Sequence, residues 1–172
     1  VEDRLRVETA VVVADAGVVA ADGTVMVDPP ARLASVPEVT ARVGDRLTVA
    51  FDPASDISER VIFPVTEAQA NGIEDARFVA FQDDSGTGGE TTYYATYTAY
   101  SGRDIRSELL ETKDFVTFRM APLEGPAARN KGMALFPRKL DGRYAMIARH
   151  DNENLHLILS DDLTSWGLGK VV

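Results

Sequence analysis

The chemistry-bearing residues crowd one short stretch, Gly72-Ile73-Glu74-Asp75-Ala76-Arg77, which opens directly into the apolar run Phe78-Val79-Ala80-Phe81. Two acids and an arginine thus stand at the mouth of what reads as a buried strand. In an extended chain side chains two apart share a face, so Asp75 and Arg77 are expected side by side and Glu74 on the opposite face. The arrangement suits either a structural ion pair or a proton donor held beside a cation. Two more cations stand next to apolar strands: Lys131, just before Ala134-Leu135-Phe136, and Arg149, at the end of the strand-like run from Tyr144. If the three cations converge, they form an anion pocket with Asp75 on its rim. A carboxylic acid beside a phosphate clamp is a recognisable requirement set, because phosphate is itself a nucleophile and only the leaving oxygen needs a proton. Inverting hydrolysis would need a second carboxylate about 6.5–9.5 Å away to activate water. Glu74, expected on the other face, is a poor candidate for that base.

The elements that must position these residues read as strands. Val7 to Ala14 is β-branched and apolar, Asp22-Gly23 is a hairpin signal, Thr24 to Val27 returns, and Asp28-Pro29-Pro30 ends the return. Val36 to Val43 and Arg46 to Phe51 are set to pair around Gly44-Asp45. Val61 to Val65 is a short apolar run that Pro64 demotes to an edge or a strand end. Phe78 to Gln82 and Thr92 to Tyr100 form a hairpin across Asp83-Asp84-Ser85-Gly86-Thr87-Gly88-Gly89-Glu90. That glycine cluster lacks the Lys-Ser/Thr ending of a phosphate loop and precedes no helix, so it reads as a turn. Ser107 to Thr112 reads as strand, and no helical periodicity of useful length occurs.

An internal repeat organises the second half. Tyr94-Ala95-Thr96-Tyr97 followed by Leu109 to Phe115 and Phe118 is one copy; Tyr144-Ala145-Met146-Ile147 followed by Leu157 to Leu163 and Trp166 is the other. Thr112 and Ser160, Asp114 and Asp162, and Phe118 and Trp166 are each 48 residues apart. Each Ser/Thr-x-Asp segment is expected to make a side-chain-bonded turn, and the aromatic after it to pack between blades. Four-stranded units at this period are the mark of β-propeller blades. The fold class is thus all-β, and the chain supplies about three blades where closure takes at least about four. Open blades leave unpaired edges. The 172 residues therefore read as a single partial propeller domain that either belongs to a longer chain or closes through a second copy as a homo-oligomer.

Bulk composition narrows the partners. The net charge of −9 with no basic stripe argues against nucleic acid. With no cysteine there are neither disulfides nor thiolate metal sites. His150 and His156 lack a third ligand at metal spacing, and Asp83-Asp84 and Asp161-Asp162 read as turn residues, so no metal is expected. No apolar run is long enough to span a membrane. Val1-Glu2-Asp3-Arg4 is no signal peptide, from which a cytoplasmic location is expected.

Several stretches together resemble glycoside hydrolase family 130, five-bladed β-propellers that include mannoside phosphorylases and related β-mannosidases. They are Gly72 to Arg77, Tyr93 to Tyr100, Asn130-Lys131-Gly132-Met133-Ala134-Leu135-Phe136-Pro137, Gly142 to Met146, and Ser160-Asp161-Asp162-Leu163-Thr164-Ser165-Trp166. The resemblance runs over the blades in residues 67–172, whereas residues 1–66 match loosely. It implies that Asp75 is the proton donor, acting through a sugar hydroxyl. It also implies that Arg77, Lys131 and Arg149 lie around sugar and phosphate, with Asn130 and Tyr97 nearby. The implied substrate is an oligosaccharide, with inorganic phosphate as co-substrate and no cofactor. The implied activity is inverting phosphorolysis of β-mannosides to mannose 1-phosphate; a water-using β-mannosidase and a non-catalytic sugar-binding propeller are the alternatives. The sequence departs from the family in having Ala76 where Pro is common and Gly132 where Asp is common. The family's first and last blades have no counterpart in the chain.

Overall fold

A computed structural model describes residues 34–82 and 91–172. The strands read at Val7–Ala14 and Thr24–Val27, the turn signals at 22–23 and 28–30, and the glycine-rich connection at 83–90 lie outside the described residues. Among the described residues ten strands form two antiparallel sheets. β1 (Glu38–Val43), β2 (Arg46–Ala50), β3 (Ile73–Phe81), β4 (Thr92–Tyr100), β5 (Ile105–Thr112) and β6 (Thr117–Pro122) make a six-stranded sheet in the order β1-β2-β6-β5-β4-β3. β7 (Ala134–Leu135), β8 (Tyr144–Ala148), β9 (His156–Ser160) and β10 (Lys170–Val171) make the second sheet, a meander in chain order. β3 to β6 form the same four-stranded meander in the first sheet, so each sheet contains one blade-like unit. The β1-β2 hairpin extends the first unit beyond β6. Among the described residues no helix is long and apolar enough to cross a membrane.

Most strands stand where alternation and turn chemistry place them. β1 and β2 fold back across Gly44, whose φ of +59° suits the tight turn. β4 covers Thr92 to Tyr100 as read, and β5 contains Ser107 to Thr112. Val61 to Val65 makes no strand: Pro64 has no N–H to give, and the Val65 amide is taken at 2.9 Å by the side-chain oxygen of Gln69.

The 48-residue repeat is a structural one. Thr112 Oγ1 accepts from the Phe115 amide at 2.9 Å, and Asp114 Oδ1 accepts from the amides of Val116 and Thr117. In the second unit Ser160 Oγ accepts from the Asp162 amide at 3.0 Å, and Asp162 Oδ1 accepts from the amides of Thr164 and Ser165. Trp166 is fully buried and its indole N–H donates to Leu163 O. It belongs to the cluster drawn from both sheets, with Phe81, Leu109, Leu123, Met146 and Ile158. Its backbone also joins the units, since Trp166 N donates to Glu124 O and Trp166 O accepts from Ala127 N.

A second apolar cluster lies on the other face of the six-stranded sheet and includes Leu47, Val49, Ala95, Tyr97, Leu110, Phe118 and Met120. Phe118 thus packs on the face away from the second sheet, unlike its repeat partner Trp166. Beside this cluster lies an apolar groove of about 460 Å³ lined by Ile57, Ile62, Phe78, Ala80, Tyr93 and Phe115 among others.

Candidate active site

The acid pair sits on an irregularity. Between the pairs Glu74–Thr98 and Arg77–Thr96 the ladder slips, so two residues of β3, Asp75 and Ala76, face the single residue Tyr97 of β4. This is a β-bulge, and Asp75 carries it at φ +59°. Residues directly opposite in a ladder share a face. Glu74 and Arg77 therefore lie on the face of Thr98 and Thr96, although three residues apart they would be on opposite faces of a regular strand. The expectation that Glu74 points away is thereby corrected: the inserted residue restores it to the side of Arg77. Ala76 instead packs with the apolar cluster on Tyr97's side.

That shared face looks onto the loop before β7. Lys131 Nζ meets Glu74 Oε1 at 3.1 Å, and Arg77 Nη1 donates to Gly132 O at 3.4 Å. Arg77 Nη2 also holds Asp75 Oδ2 at 2.8 Å. All four charged side chains are about half exposed, Asp75 at 48% and Lys131 at 59%, so solvent and ligand can reach them. Lys131 stands between two left-handed residues, Asn130 at φ +62° and Gly132 at φ +86°. These kinks, rather than a regular strand, aim its side chain.

The remaining candidates divide. Arg149 is exposed at the C-terminal end of β8. Its neighbour His150 accepts from Asn130 Nδ2 at 2.8 Å through its carbonyl, which ties the end of β8 to the Lys131 loop. The Asn130 side chain is thus engaged by backbone at the turn after β8. The structure does not bring the Tyr97 hydroxyl there: it donates to Glu108 Oε2 and accepts from Gln69 Nε2 at 3.1 Å, buried on the opposite face of β4. Burial pushes the Tyr97 phenol well above its ordinary range, and the negative Glu108 beside it adds to the shift. The network closes through Arg106, which bonds Glu108 Oε1 and Asp45.

Among the described residues no group of three or more His, Cys, Asp or Glu is placed to hold a metal. The rings of His150 and His156 lie 4.1 Å apart at a tilt of 42°, and His156 Nε2 lies 2.8 Å from Asp151 Oδ2. The Asn154 side chain and backbone amides, with His156, hold the Asp151 carboxyl well below the usual carboxylate range.

Sequence reasoning missed Glu74 as the partner of Lys131, and missed two buried hydroxyls under the loop. Thr96 Oγ1 donates to Met133 O at 2.5 Å and Ser107 Oγ to Asn130 O at 3.1 Å. Their signal was faint: hydroxyl side chains inside strands that mix apolar and polar residues.

Comparisons with known proteins bear on this geometry. The family model described as beta-1,4-mannooligosaccharide phosphorylase matches residues 53–171. The Beta-1,2-mannobiose phosphorylase of Listeria innocua is 31% identical over 113 residues, 62% of this chain and 29% of that protein. A 1,2-beta-oligomannan phosphorylase of Thermoanaerobacter is 31% identical over 106 residues, 59% of this chain and 32% of that one. The chain thus spans about a third of the length of these curated relatives. The solved complex of the Listeria innocua enzyme with beta-1,2-mannobiose superposes with a TM-score of 0.53 at 25% identity, covering 73% of this chain and 36% of that one. A structure of a putative glycoside hydrolase from Parabacteroides distasonis gives 0.50 at 17% identity over 79% of this chain and 51% of its own, a likeness of fold alone. With the family model covering residues 53–171, and with them every residue of the acid and cation cluster, the chain belongs to glycoside hydrolase family 130.

Proposed function

We propose that this chain carries the reacting groups of an inverting β-mannoside phosphorolysis. One observation carries the reading: the bulge in β3 puts Glu74 against Lys131, and puts Arg77, which holds Asp75, against the carbonyl of Gly132. In this reading a phosphate oxygen attacks the anomeric carbon while the glycosidic C–O bond breaks. Asp75 supplies the proton taken by the leaving oxygen, by way of a sugar hydroxyl. Mannose 1-phosphate and the shortened sugar are the products. Arg77, Lys131 and Arg149 hold the anionic phosphate and the sugar, against the field of an acidic chain.

Phosphorolysis is favoured over hydrolysis by the two cations, Arg77 and Lys131, that stand beside the acid pair and suit an anionic co-substrate. The names of the two relatives, both phosphorylases acting on β-1,2-linked mannose sugars, point the same way and suggest that linkage first.

The test is cleavage of β-1,2- and β-1,4-mannobiose with and without inorganic phosphate, with mannose 1-phosphate as the measured product. Phosphate-dependent release is expected, and Asp75→Asn should lower turnover by about 10²–10⁴ while sugar binding stays nearly unchanged. Cleavage that ignores phosphate would establish a β-mannosidase instead. Sugar binding without cleavage by the unmodified protein would leave a non-catalytic propeller.

A further inference from the structure

The loop bearing Lys131 belongs in sequence to the second sheet but is fastened to the first. Thr96 on β4 and Ser107 on β5 are buried, at 2% and 1% exposure, and both donate across the gap between the sheets. Thr96 Oγ1 reaches Met133 O at 2.5 Å and Ser107 Oγ reaches Asn130 O at 3.1 Å. The third fastening runs the other way, from Asn130 Nδ2 to His150 O at 2.8 Å, onto the turn after β8. A backbone bridge between Arg106 and Arg129 brackets the same segment. Lys131 is therefore flanked on both sides by pinned carbonyls, and its two neighbours take left-handed φ values.

We propose that Thr96, Ser107 and Asn130 form an inter-blade clasp that aims Lys131 at the Glu74–Asp75 pair. This rests on the phosphorolysis reading above and makes all three positioning residues for it. Asn130 acts on Lys131 in this scheme rather than on the sugar, because its amide nitrogen is committed to the His150 carbonyl. The physical reason for a clasp is that Lys131 is a long, flexible cation whose reach depends on its backbone. A carbonyl with a buried donor costs free energy to release, so the loop holds one conformation. Misplacing a substrate-holding group by about 1 Å can cost about a hundredfold in rate.

The experiment pairs kinetics with backbone amide exchange on the full chain. Thr96→Val is close to isosteric but removes the donor; Thr96→Ser restores it. Thr96→Val should raise KM for inorganic phosphate by about 10- to 100-fold and speed amide exchange across residues 130–133, and Thr96→Ser should reverse both. In a Lys131→Ala background Thr96→Val should add nothing further, because its effect passes through Lys131. Ser107→Ala and Asn130→Asp serve as second variants where Thr96→Val folds poorly. Additive effects of Thr96→Val and Lys131→Ala overturn the proposal, as does exchange at 130–133 that none of the variants changes. If the unmodified chain shows no phosphorolysis, the functional reading fails while the exchange data still decide the clasp: faster exchange confined to 130–133 supports it, and unchanged exchange overturns it.

Discussion

Tyr97 shows what a residue's type leaves open. Aromatic, with a hydroxyl, in a stretch resembling sugar-binding enzymes, it reads as a neighbour of the substrate. Yet its hydroxyl is spent on Glu108, a carboxylate at 1% exposure that also takes Gln69 and Arg106. The decisive contacts join residues 11 and 28 positions away, which no local pattern marks. Tyr97→Phe removes one donor from a buried anion and should cost about 1–3 kcal/mol of stability, measured by urea unfolding. Because the hydroxyl faces away from Lys131, KM for phosphate should hardly move. A large rise in KM with unchanged stability would return Tyr97 to the site.

At the scale of elements, the strands were legible where alternation and a turn dipeptide agree, as at Gly44-Asp45 and along β4. The two Ser/Thr-x-Asp turns were legible because their bonding is local: each aspartate accepts from amides two and three residues on. The bulge was not legible, since reading faces by alternation presumes a regular strand, and one added residue inverts the answer. The turns also carry a pH dependence. The Thr117 amide, with those of Val116 and the Thr112 hydroxyl, holds the Asp114 carboxyl below its usual range; the Thr164 hydroxyl and amide and the Ser165 amide do so for Asp162. A carboxyl whose folded pKa is depressed stabilises the fold above its unfolded value, about 3.9, and that contribution is lost as pH falls through the folded value. Thermal melts at pH 6 and pH 3 should therefore show a smaller acid-side loss in Tm for the Asp114→Asn, Asp162→Asn double variant than for the parent. Equal losses would remove the turns as the cause.

At the scale of the described molecule, the charged cluster lies where two blade-like units meet, and neither unit holds it alone. The first contributes Glu74, Asp75 and Arg77, and the second contributes Lys131 and the carbonyl of Gly132. The repeat announced two similar units. It did not announce their seam, because the contacts that make it, such as Thr96 to Met133, span 37 residues and rest on hydroxyls with no periodic signature. Trp166 is the exception, a repeat aromatic that the seam encloses completely.

The two sides of β3 are unlike environments: one looks onto charged Lys131, the other onto the apolar groove beside Tyr97. A single extra residue decides which of them receives Asp75. Excising one codon, that of Ala76, would make the β3–β4 ladder regular, leave Glu74 and Arg77 opposite Thr98 and Thr96, and turn Asp75 over to lie opposite Tyr97. The protein should still fold, as its far-UV circular dichroism would report, and phosphate-dependent cleavage should vanish. A three-nucleotide deletion would then separate a β-propeller scaffold from its chemistry without altering one charged side chain.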